Sequence, residues 1–204
     1  AGFVSRITAV KDDAALAAFY LLSLAAGIVL ISVKGSNVDL LHVLFGSILA
    51  LDNPTLILLA SASTVSGLAI AIMFRRLVLE SVDPAFAHLV DSGSMFTNSL
   101  FLALVAINLV AGFHALGTLL AVGLMMLPAF IARFWAQSLI GMIAIALVAG
   151  CLSSVIGILL SYHFNLPTGP TIILSCGIIY LLSVLFGRRE GLLLRFIPQP
   201  HKAR

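Results

Sequence analysis

The chain has 204 residues, 61% of them hydrophobic and only 9% charged, with a formal net charge of +3 and a mean hydropathy of +1.19. Soluble domains carry about 25% charged residues, so this composition lacks the polar surface to coat a water-exposed globule and excludes a soluble enzyme. A bilayer-spanning helix takes about 20 mostly apolar residues, which leaves room for roughly six spans and no separate soluble domain; with no basic patch interleaved with aromatics, nucleic acid is excluded as a partner.

Residues 1–13 hold no apolar core of signal-peptide type, and the sequence does not open on Met, which suggests a start cut from something longer. Between Asp13 and Lys34 the uncharged residues 14–33 have the length of one span. Residues 38–51 (VDLLHVLFGSILAL) are also apolar, but as a helix they reach only about 20 Å, short of a hydrocarbon core of roughly 30 Å. This segment either dips in and returns or lies along the outer surface; a dipping half-helix is tolerated only when buried in protein or lining a wet cavity, which suggests a transport pathway. Residues 53–74 form the second span, closed by Arg75 and Arg76.

Residues 81–90 (SVDPAFAHLV) follow as a short helix with Asp83 at the N-cap and Pro84 at the first helical position. Phe86, Leu89 and Val90 then project apolar surface near the inner boundary, either resting on lipid headgroups or docking a cytosolic protein. The uncharged residues 92–132 are too long for one crossing and right for two helices joined by a tight turn around Gly112, His114 and Gly117. Residues 134–187 hold two more, separated by the proline-bearing YHFNLPTGP. Pro128 is expected to kink its helix, and Trp135, beyond Arg133, suits an interfacial anchor. The fold class expected is thus all-α, a polytopic bundle of six spans with one short outer helix and one cytoplasmic helix.

Lys and Arg give the orientation. With a cytoplasmic N-terminus, six-span parity puts Arg6, Lys11, Arg75, Arg76, Arg133, Arg188, Arg189, Arg195, Lys202 and Arg204 inside and leaves Lys34 alone outside. Both termini are then cytoplasmic.

Few side chains are equipped for chemistry. Asp39 and His42, three residues apart, share a face of the short outer segment and offer a carboxylate and an imidazole to a divalent cation, or serve as a helix-end carboxylate and a surface histidine. His114 and His163 fall on the same outer side and are further metal-ligand candidates, or interfacial histidines capping helices. Cys151 and Cys176 lack a C-x-x-C spacing and are expected to pack as small apolar residues. Ser153, Gly157 and Ser161 repeat a small side chain every fourth residue, which lets a neighbouring helix approach closely. No G-x-S-x-G, H-E-x-x-H or Walker A sequence occurs, so an enzyme is not expected, and ATP hydrolysis, if coupled, belongs to another subunit.

Four blocks resemble the permease subunit of the zinc/manganese/iron ABC importers, the ABC-3 family. They are Asp39-Leu40-Leu41-His42-Val43-Leu44-Phe45-Gly46; Asp83-Pro84-x-Phe86-Ala87; Gly117-x-Leu119-Leu120-x-Val122-x-Leu124-x-x-Leu127-Pro128-Ala129-x-x-Ala132-Arg133; and Leu160-Ser161-Tyr162-His163-x-x-Leu166-Pro167-Thr168-Gly169-Pro170. The resemblance implies a homodimeric permease in a bacterial inner membrane, with two cytosolic ATPases beneath and a periplasmic or lipid-anchored metal-binding protein above. It makes Asp83, Pro84, Phe86, Ala87, His88 and Leu89 part of a coupling helix seated in the ATPase, and residues 38–51 the short helix near the outer mouth. It implies no resident cofactor; the divalent metal, zinc ahead of manganese and iron, is cargo. Family members usually begin with further spans carrying a G-D-A-x-S-H-A-type segment, absent here, so residues 1–204 are expected to be one permease domain shortened at its front. The competing readings are a vitamin B12/siderophore-type permease, an ATP-independent channel or secondary transporter, which would carry charges inside its spans, and an intramembrane enzyme.

Overall fold

In hydrocarbon every backbone N–H and C=O must be satisfied within the chain, and a helix does so locally. The computed structural model, which describes residues 12–33, 52–82 and 94–187, follows that rule with six helices and, among the described residues, no strand. They are α1 (Asp12–Val33), α2 (Asn53–Val82), α3 (Ser94–Leu116), α4 (Thr118–Arg133), α5 (Leu139–Phe164) and α6 (Thr168–Phe186). All but α4 are long and apolar enough to cross a membrane. With 16 residues, α4 reaches only about 24 Å, because Gly117 breaks the chain before it and Arg133 ends it. The fold is the expected all-helical membrane bundle, and its sixth apolar helix falls short of a full span.

Two boundaries differ from expectation. The turn between α3 and α4 is made by Gly117 alone, at φ 82° and ψ 158°, a backbone conformation open to glycine and strained for other residues; Gly112 and His114 stay helical in α3. Arg75 and Arg76 do not end α2, which continues through Leu77, Val78 and Leu79 to Val82. Arginine is a good helix former, so the pair marks a polar level along the helix without stopping it. Ser81 and Val82 therefore belong to α2, and the remaining residues of the expected cytoplasmic helix, 83–90, lie outside the described residues.

The chain divides into two compact units, Ala1–Gly46 with Gly117–Arg204, and Ser47–Leu116. In the first, α6 packs against α1, α4 and α5. Small residues permit this. Ala149, Ser153, Gly157 and Ser161 form the buried face of α5, and a Cβ on Gly157 would stand 2.5 Å from the Ile172 Cα and 2.9 Å from its N, so the α5 backbone meets that of α6 with nothing between. On α1, Ala18, Leu21 and Ala25 make one buried stripe, and Leu22 occupies the space a side chain at Gly177 would need. Pro128 lies inside α4 and faces α5, its Cγ 3.7 Å from where a Cβ on Gly150 would be. Tyr180, Phe134, Leu120, Leu127 and Ile173 are the largest fully buried side chains.

The ends of α5 are capped. Ser138 accepts a hydrogen bond from the Gly141 N–H at 3.2 Å, and Asn165 closes the other end in the left-handed conformation, φ 50°, which asparagine tolerates. In the turn that follows, the Ser161 hydroxyl donates to Leu166 O at 2.6 Å and lies 3.0 Å from that of Thr168, while the Thr171 hydroxyl donates to Pro167 O at 2.8 Å. In the second unit α2 packs along α3, with Ser66, Leu104 and Ala111 buried.

Candidate functional site

The α2–α3 pair holds a polar contact between its two helices. Asn108, midway along α3, donates through Nδ2 to the Ser66 hydroxyl at 2.6 Å and to Leu104 O at 2.8 Å. Both amide hydrogens are used, so the carboxamide's remaining capacity is as an acceptor. One turn nearer the start of α2, the hydroxyls of Ser61, Ser63 and Thr64 donate back to carbonyls of their own helix at 2.8 to 3.1 Å. These hydroxyls are thereby satisfied without a neighbouring helix and keep their lone pairs free.

Beside them runs a groove of about 780 Å³ whose walls include Leu58, Ser61, Ser66, Leu104 and Val110, with His114 at one end. It offers neutral oxygens and one imidazole in an otherwise apolar wall. Such donors hold a divalent ion weakly, and no group of three or more His, Cys, Asp or Glu side chains gathers among the described residues.

The expected ligands are placed as follows. His114 occupies the last turn of α3 and is exposed. His163 occupies the last turn of α5, exposed, with its ring against Phe164 at 5.7 Å between centroids. They belong to different units. Asp39 and His42, like Asp83, Pro84, Phe86, Ala87, His88 and Leu89, lie outside the described residues. Cys151 and Cys176 are both free thiols; Cys176 is buried, in line with a packing role, whereas Cys151 is exposed. Trp135, expected as an interfacial anchor, donates through its indole Nε1 to the Ser183 hydroxyl at 3.0 Å and ties the end of α4 to α6.

Asn108, Ser66 and Tyr180 went unread in the sequence. A carboxamide in the middle of an uncharged, otherwise apolar stretch was the available signal for the first.

The sequence profile of the ABC 3 transport family matches residues 1–187. The chain belongs to the ABC-3 family. Among its relatives, the manganese import system permease protein ScaB of Streptococcus gordonii is 32% identical over 95% of this chain and 69% of its own length. The manganese transport system membrane protein MntC of Listeria monocytogenes is 30% identical over 94% of this chain and 69% of its own. Among solved structures, PsaBC from Streptococcus pneumoniae in complex with Fab superposes with a TM-score of 0.70 at 32% identity, over 84% of this chain. This ABC-3 chain spans 62% of that solved chain. Family membership and five helices of membrane-crossing length make it an integral, multi-pass membrane protein.

Proposed function

We propose that this chain is the permease portion of an ATP-driven importer of divalent metal ions, with manganese as the first candidate cargo. The observation that carries the reading is the family match over residues 1–187 together with relatives named as manganese import permeases along nearly the whole chain. Zinc, placed first from motif resemblance, gives way to manganese on those names, with iron third.

ATP is hydrolysed by a separate cytosolic ATPase dimer. Residues 83–90 dock in it, with Asp83 and Pro84 starting the helix and Phe86, Ala87, His88 and Leu89 making the contact. Two permease copies enclose the pathway in the bacterial inner membrane, termini inside, beneath a periplasmic or lipid-anchored metal-binding protein. His114 and His163, joined by Asp39 and His42, supply transient contacts at the outer mouth; both described histidines are exposed at ends of helices that the charge pattern assigns to the outer side. Transport alternates between two arrangements of the helices.

The test is reconstitution of the permease with its ATPase and metal-binding protein in liposomes, with uptake of manganese, zinc and iron measured with and without ATP. Manganese accumulation that requires ATP is expected; equal uptake without ATP sinks the importer reading. Phe86→Glu is expected to abolish ATPase co-purification and uptake, and unchanged co-purification would remove residues 83–90 from the docking surface.

A further inference from the structure

One buried polar group in the first unit is unsatisfied in the arrangement described. Tyr180 on α6 is 1% exposed, and its hydroxyl has no hydrogen-bond partner. The ring is held firmly. It meets Phe134 nearly edge-on, with centroids 6.1 Å apart and planes at 65°, and tilts over Phe130 at 6.4 Å and 56°. Both phenylalanines lie at the end of α4, and Phe134 is fully buried.

The polar groups around it are paired. Trp135 Nε1 donates to the Ser183 hydroxyl, the Gly187 N–H donates to Ser183 O at 2.8 Å, and the Phe134 and Trp135 N–H groups donate to Ile131 O and Ala132 O. A hydroxyl withdrawn from water without a partner destabilises the state that buries it, whereas a phenylalanine would fill the same space without that penalty. One acceptor on α4 is meanwhile left without its usual donor, because Pro128 has no N–H to give the Leu124 carbonyl.

We infer that Tyr180 is a latch between two arrangements of α4 and α6: its hydroxyl is unpaired in the arrangement described and paired in the alternative one. The unpaired hydroxyl raises the free energy of the first arrangement and keeps the second within reach, so the contact of Phe130, Phe134 and Tyr180 is bistable by construction. Tyr180 acts here as a positioning residue, distant from any cargo ion. The inference rests on the transport reading for the meaning of the second arrangement, but the unpaired hydroxyl is tested independently of it.

The experiment uses the complete importer carrying Tyr180→Phe. Its thermal unfolding midpoint, measured without nucleotide or metal, is expected to rise by about 2 °C or more. Ser183→Ala, which strips the partner from the Trp135 indole, is expected to lower the midpoint in the same assay. Spin-label distances between α4 and α6, taken without nucleotide and with ATP trapped, should show two populations whose ratio shifts about ten-fold toward the arrangement described here in Tyr180→Phe, with uptake reduced accordingly. An unchanged or lowered midpoint overturns the unpaired hydroxyl, and a raised midpoint with unchanged populations overturns the latch. Wild-type importer that moves no metal would instead defeat the transport reading while leaving the midpoint comparison intact.

Discussion

Replacing Gly157 by alanine tests whether α5 and α6 are in backbone contact. The added Cβ would stand 2.5 Å from the Ile172 Cα, 2.6 Å from its Cγ1 and 2.9 Å from its N, against an ordinary carbon contact of about 3.5–4.0 Å. Two of the three atoms are backbone, so no rotamer change clears the space, and the helices must part by about 1 Å. Overpacking of this kind typically costs about 1–3 kcal/mol, while alanine in a helix interior recovers about 1 kcal/mol relative to glycine. The net effect expected is a loss of up to about 2 kcal/mol, or up to roughly 8 °C in the unfolding midpoint at about 2–4 °C per kcal/mol. Gly150→Ala is the matched control. Its Cβ would meet only the Pro128 side chain at 3.7 Å, so the propensity gain stands alone and the midpoint should hold or rise. Both are read by thermal unfolding of the purified membrane protein in one detergent. A Gly157→Ala midpoint equal to or above that of Gly150→Ala would refute the backbone contact.

Other perturbations probe separate elements. Asn108→Leu removes the hydrogen bond to Ser66; interhelical bonds in membranes average about 0.6 kcal/mol, so a double-mutant cycle with Ser66→Ala should return a coupling of about that size, and zero coupling would remove this tie. Ser138→Ala takes the cap from α5 and should lower stability by about 1 kcal/mol, with Ser138→Asp restoring it in the same unfolding assay. Trp135→Phe keeps an aromatic ring and loses the donor to Ser183; a midpoint drop of about 1–3 °C is expected in the same unfolding assay.

Helix number and order are legible because charge is so scarce. Asp13, Lys34 and Arg133 each stand beside a helix end, and between such marks only a helix can satisfy the backbone in hydrocarbon. The repeat of Ser153, Gly157 and Ser161 named its own packing face, since small residues at every fourth position have few other uses in a membrane helix. Boundaries set by conformation were less visible. Gly112 and Gly117 look alike in sequence, and only the second takes a positive φ. Arg75 and Arg76 mark a charged level along α2, which is a different matter from where α2 stops. The candidate site was hardest to read, because its polar contacts are tertiary: Ser66 and Asn108 are 42 residues apart, and Tyr180 in an apolar run gives no hint that its hydroxyl lacks a partner.

The length of α2 has a mechanical consequence. Thirty residues without an internal break make a rod of about 45 Å, well beyond the roughly 30 Å of hydrocarbon it crosses. A load applied at Val82 is therefore carried along the rod until it reaches a more compliant stretch. Stiffness along the rod is uneven: between Ala60 and Gly67 three hydroxyls draw on the helix's own carbonyls, a pattern that favours bending, and Gly67 has nothing within 4 Å of its Cβ position to brace it. The weak point of the rod thus coincides with the wall of the α2–α3 groove, so strain loaded at one end is delivered as curvature at the level of Ser61 and Ser66.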